Sequence, residues 1–79
     1  MRATVLVRPK AGILDPQGDA VQSSLRQLGF AVETARVGRV VDLELEAASP
    51  GEARDEVERM CAELLANPLI ESFDIQLVE

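Results

Sequence analysis

The 79-residue chain reads strand, helix, strand, strand, helix, strand, and this order predicts an α+β domain. The expected form is a four-stranded, mostly antiparallel sheet with two helices on one face, as a single domain over 1–79. Three observations predict it. Two capped amphipathic stretches each lie between segments of strand character. Gly38-Arg39 supplies a two-residue turn with Gly first, as a type II′ hairpin requires. Two right-handed βαβ crossovers place both helices on the same side of the sheet.

The elements follow in order. Thr4-Val5-Leu6-Val7 is a β-branched run that ends at Pro9. Asp15 then Pro16 opens a helix, with a carboxylate to accept orphan N–H groups and proline at the first helical position. Val21, Leu25 and Leu28 repeat at helical spacing, and Gly29 supplies a left-handed C-terminal cap. Phe30 to Val37 reads as a second strand and Val40 to Ala47 as a third. Ser49-Pro50-Gly51-Glu52 combines a capping box with proline at the first position. The helix that follows carries Ala53, Val57, Met60, Cys61, Leu64 and Leu65 on one face. Arg54–Glu58, Asp55–Arg59 and Arg59–Glu63 are four apart on its exposed side. Asn67-Pro68 stops it, and Ile70 to Val78 alternates as a half-buried last strand. The connectivity is ferredoxin-like.

Composition narrows the function. The chain has no His, Trp or Tyr and one Cys, so His-based nucleophilic chemistry is absent and a transition-metal site has almost no ligands. A net charge of −6 and only two aromatics, Phe30 and Phe73, argue against nucleic acid. No apolar run is long enough to span a membrane, and the N-terminus has no signal-peptide pattern, so a cytoplasmic location is expected. A chain this short sits near the lower limit for independent stability, and with a lone Cys61 it has no internal disulfide to help. Self-association is the remaining reinforcement. Residues 1–39 hold six basic and three acidic groups, net +3, whereas residues 40–79 hold two and eleven, net −9. Such a dipolar protomer suits head-to-tail or two-fold pairing, with Arg2, Arg8, Lys10, Arg36 and Arg39 as complements to the acidic strand. Simple solubility explains the acids equally well.

The expected hairpin places Val32, Thr34 and Arg36 on the core side with Val41, Leu43 and Leu45. It sets Glu33 opposite Glu44, so that Glu33, Asp42, Glu44 and Glu46 make an acidic outer sheet face. That face is either solvated or a docking surface for basic groups. Lys10 with Gly12 before a helix suggests an anion site, but the spacing is not that of a phosphate loop and Asp15 brings its own negative charge. Ile13 and Leu14 are loop apolars that either fold under the helix or anchor a partner. Cys61 reads as packed and unreactive, and no carboxylate pair falls in an expected cleft.

The stretches VLVRPKAGILDPQGDAV, LGFAVETARVGRVVDLELE and LLANPLIESFDIQL resemble the PurS subunit of phosphoribosylformylglycinamidine synthase from Val5 to Leu77. The most specific pieces are Pro9-Lys10 through Leu14-Asp15-Pro16-Gln17-Gly18, Leu28-Gly29-Phe30, Gly38-Arg39, and Leu65-Ala66-Asn67-Pro68. Family members often carry Gly-Lys at the turn, so Arg39 keeps the charge but not the geometry. The resemblance implies a non-catalytic subunit, a homodimer or tetramer, that joins a glutaminase (PurQ) and a synthetase (PurL). The assembled ligase converts formylglycinamide ribonucleotide, glutamine and ATP to formylglycinamidine ribonucleotide, glutamate, ADP and phosphate in purine biosynthesis. It also implies a role in ammonia transfer, with ATP, magnesium and glutamine used by the partner chains and no cofactor bound here. The expected partner contacts are loop residues of types that fold maintenance does not fully explain: Lys10, Ile13, Leu14, Asp15, Gln17 and Gly18, the Gly38-Arg39 turn, and the Asn67-Pro68 corner. The rival reading is a small-molecule-binding regulatory module, which Gly12 and Gly29 at strand–helix junctions permit.

Overall fold

The computed structural model describes residues 1–78. Strand β1 (Arg2–Pro9) is followed by helix α1 (Pro16–Gln27), strand β2 (Arg39–Glu44), helix α2 (Pro50–Met60), a π-helical turn (Cys61–Leu65) and strand β3 (Glu71–Val78). The sheet is antiparallel and three-stranded among the described residues, in the order β2-β1-β3. β1 is central because its alternation is the most apolar: Ala3, Val5 and Val7 are fully or almost fully buried. Opposite them stand Leu43 and Val41 on one side and Leu77, Ile75 and Phe73 on the other. Helix α2 and the π-helical turn close that face with Ala53 and Val57 from the first and Cys61 from the second.

Both helix starts form as the sequence predicts. Asp15 Oδ1 accepts from Gly18 N at 3.0 Å and Ser49 Oγ from Glu52 N at 3.2 Å. The return bond of the capping box goes one residue further back, from Ala48 N to Glu52 Oε2 at 3.3 Å. Gly29 takes the left-handed conformation, with φ 98°. The described ion pairs are Arg8–Asp74 and Arg39–Glu71, so the four-apart charges on α2 point to water without pairing.

Three expectations are corrected. No fourth strand forms among the described residues: residues 31–38 carry no strand and pair with no neighbour in the sheet. Gly38-Arg39 is no turn, because Arg39 already lies in β2 opposite Val7. The segment is tethered elsewhere. Val37 N donates to Asp15 Oδ2 at 2.9 Å, Arg36 donates to the carbonyls of Pro9 and Lys10, and Arg26 reaches from α1 to the carbonyls of Val32 and Glu33. The hairpin register therefore does not form; Glu44 lies opposite Arg2, not Glu33.

The second correction concerns the helices. Among the described residues, α2 is the helix that packs closely on the sheet, against β3. α1 and residues 30–38 together form an arm that leaves the sheet, so the protomer measures 50 × 25 × 14 Å. Its radius of gyration is 15.7 Å, against about 12 Å for a compact chain of this length. The apolar row of α1 is consequently uncovered: Leu28 is 74% exposed and Phe30 58%, with Val21 also open. The third correction is Leu64. The wider π-helical turn rotates the register after Met60, so Cys61 stays buried and Leu64 faces outward.

Candidate functional site

At the end of the sheet where β1 finishes and β2 and β3 begin, three loops meet. Pro9, Ile13, Leu14, Asp15 and Gln17 from the first loop line a groove of 270 Å³ with Val37, Gly38, Arg39, Ile70 and Glu71. Side chains tie the loops to one another. Lys10 Nζ donates to the Pro68 carbonyl at 2.6 Å. Arg39 makes a fork to Glu71 at 2.7 and 3.0 Å and also donates to the Leu65 carbonyl, closing the end of the π-helical turn. Glu71 Oε1 accepts from Asn67 N at 2.7 Å, and Asn67 Oδ1 accepts from Leu69 N at 3.0 Å. Two glycines permit close approach: a Cβ on Gly18 would lie under 3.0 Å from the Ala35 carbonyl oxygen, and one on Gly38 equally close to that of Val7.

The structure thus brings together Lys10, Ile13, Leu14, Asp15, Gln17, Gly18, Gly38, Arg39, Asn67 and Pro68, the residues singled out in sequence. Their roles divide. Lys10, Asp15, Gly18, Gly38, Arg39 and Asn67 build the platform, while Leu14, at 88% exposure, and Ile13 stand on it. Leu14 does not fold under α1, whereas Ile13 is 37% exposed and lines the groove. Glu71 and Arg36 complete the framework. Sequence reasoning did not select Glu71, because its partner Arg39 is 32 residues away and no local pattern links them.

Of the acidic group, Asp42, Glu44 and Glu46 follow at alternate exposed positions in β2 and just beyond it, and Glu33 is set apart from them. Asp42 accepts from Thr4 Oγ1 at 2.8 Å, Glu44 faces Arg2, Glu33 rides on the arm, and Glu46 lines a separate groove of 630 Å³ with Met1, Arg2, Glu44, Leu45 and Val78. The outer sheet face is mixed in charge. No cluster of three or more His, Cys, Asp or Glu side chains suited to a metal occurs among the described residues. Burial, with Glu58 nearby, pushes the Cys61 thiol up, so it is a poor nucleophile. No helix among the described residues is long and apolar enough to cross a membrane.

Two carboxylates of the platform have depressed pKa values. Backbone donation from Val37, then from Gly18, lowers Asp15, with Arg36 adding to it. For Glu71 the larger cause is the Arg39 hydrogen bond, followed by Asn67 N–H. Groups with lowered folded-state pKa contribute stability above their unfolded values, near pH 4, and lose it as pH falls through the folded ones. Urea midpoints measured from about pH 5 to pH 3 should therefore fall. The double variant Asp15→Asn with Glu71→Gln should show a shallower fall over that window; an unchanged slope would mean that neither carboxylate is linked to folding.

Comparison with known proteins agrees with this architecture. The family model PurS, described as phosphoribosylformylglycinamidine (FGAM) synthase, matches residues 2–79. Subunit PurS of Methanocaldococcus jannaschii is 36% identical over 77 residues, covering 96% of this chain and 93% of its own length. The crystal structure of Bacillus subtilis PurS superposes with a TM-score of 0.87 at 35% identity, over 99% of this chain and 98% of that one. A chain of the PurLQS structure from Thermotoga maritima gives 0.88 at 30% identity, over 95% and 93%. With a family model that spans residues 2–79 and matches in sequence and fold along nearly the whole chain, this chain belongs to the PurS family of phosphoribosylformylglycinamidine synthase.

Proposed function

We propose that this chain is the assembly subunit of its synthase, a homodimer that holds a PurQ glutaminase against a PurL synthetase and contributes no catalytic group. In such an enzyme glutamine and water give glutamate and ammonia at one subunit. Ammonia then displaces the ATP-activated amide oxygen of formylglycinamide ribonucleotide at the other, yielding formylglycinamidine ribonucleotide, ADP and phosphate. Free ammonia is protonated in water and lost, so the two sites must be held together. ATP, magnesium and glutamine belong to the partner chains in this reading.

The observation that carries it is the arm. Residues 34–38 lead directly into β2, whose outer edge is open among the described residues, and residues 31–38 join no strand ladder while the row Val21, Leu28 and Phe30 is uncovered. The arm cannot fold back onto its own β2 without a turn at Gly38, and a two-fold related copy removes that need. Antiparallel pairing of residues 31–44 with themselves lays each arm on the other copy's open edge. It also sets each α1 over the partner's sheet, beside α2, restoring the second helix and the fourth strand that the connectivity calls for.

Mixing the chain with its cognate PurQ and PurL, with glutamine and Mg-ADP, tests the reading by size-exclusion with light scattering. One species containing all three chains is the expected result. A chain that elutes alone under every nucleotide and glutamine condition would refute the assembly role.

A further inference from the structure

We propose that the loop end of the sheet is a docking surface for a segment of a partner subunit that carries apolar side chains flanked by carboxylates, an inference that rests on the assembly role above. Among the described residues, the three most exposed large apolar side chains all stand at this one end: Leu14 at 88%, Leu64 at 83% and Leu69 at 82%. Ile13 and Ile70 line the groove with Leu14. Single exposed leucines need no explanation, but apolar residues brought to one end by two loops and the π-helical turn do.

The loops that carry them are fixed rather than loose. Lys10, Arg36 and Arg39 each bind backbone carbonyls of this end, at Pro68, at Pro9 and Lys10, and at Leu65. Asp15 and Glu71 bind backbone N–H groups of Gly18, Val37 and Asn67. Polar side chains thus hold the backbone in place while apolar ones face water, which is how a pre-organised binding surface avoids the entropy cost of ordering loops on contact. The charge specifies the occupant. Glu71 is neutralised by Arg39, and Arg8 by Asp74. Lys10 and Arg36 have no carboxylate at ion-pair distance among the described residues, although Arg36 lies near enough to Asp15 to lower its pKa. Two unpaired cations beside a leucine cluster match carboxylates beside apolar anchors.

The double variant Leu14→Asp with Leu69→Asp, made in the full chain, tests this by titration calorimetry against PurL and against PurQ. Both positions are surface ones, so circular dichroism and the mass of the free chain should not change. Affinity for at least one subunit should fall about 100-fold, the size expected for removing central apolar anchors. Binding of the unaltered chain to that subunit should weaken as salt rises. Undiminished affinity for both subunits overturns the inference while leaving the assembly role standing. A variant that loses self-association instead assigns the surface to a second copy and equally overturns it. If the unaltered chain binds neither subunit, the assembly role fails and this inference with it.

Discussion

Replacing Gly38 by alanine lowers the stability of the fold by about 3 kcal/mol, at the upper end of overpacking effects. Gly38 has no left-handed φ to justify a glycine; its reason is contact. The added Cβ would meet the Val7 carbonyl oxygen under 3.0 Å away, the Val7 carbonyl carbon at 3.2 Å and Arg8 Cα at 3.3 Å. All three are backbone of the central strand, which cannot yield without disturbing both of its ladders. A domain of this length has a total stability of about 4–12 kcal/mol, so the loss is a large share of it. Urea unfolding checks the value. Gly51→Ala is the control: nothing lies within 4 Å of its Cβ, and in the first turn of α2 it should leave the midpoint level or raise it slightly. Equal effects at the two positions would contradict the packing argument.

Leu28→Glu with Phe30→Glu separates the protomers. In an isolated chain both side chains are mostly exposed, so charging them should cost the fold almost nothing. If a second copy covers them, each carboxylate is buried without a partner on association. Self-association should then weaken by roughly two to three orders of magnitude, from the affinity equivalent of about 3–4 kcal/mol. Analytical ultracentrifugation over a concentration series gives the change directly. The discriminating feature is that stability of the separated chain in urea should scarcely move.

Much of the protomer is legible in the sequence because its signals are local. The caps at Asp15 and Ser49, the left-handed Gly29 and the alternation around Ile75 each report on a few neighbouring residues, and each forms. The misread parts depend on distant partners. Residues 30–37 have the same strand pattern whether they pair within the chain or with another, and Gly38-Arg39 fits a hairpin turn by composition alone. The row Val21, Leu25 and Leu28 announces burial without naming what covers it. At the loop end, the residue types Gly, Pro, Asn and Lys marked the right place. They did not disclose that Arg39 and Asn67 are framework, because Glu71, which joins them, sits in an otherwise ordinary strand start. Leu64 followed a helical period that the π-helical turn interrupts.

The central claim is that the arm belongs against a second copy. Light scattering of the unaltered chain alone, at micromolar concentration, addresses it most directly. The account predicts a mass about twice the 8.6 kDa of one chain. A mass of 8.6 kDa across the concentration range would contradict it, leaving an elongated protomer with an apolar arm and nothing to cover it.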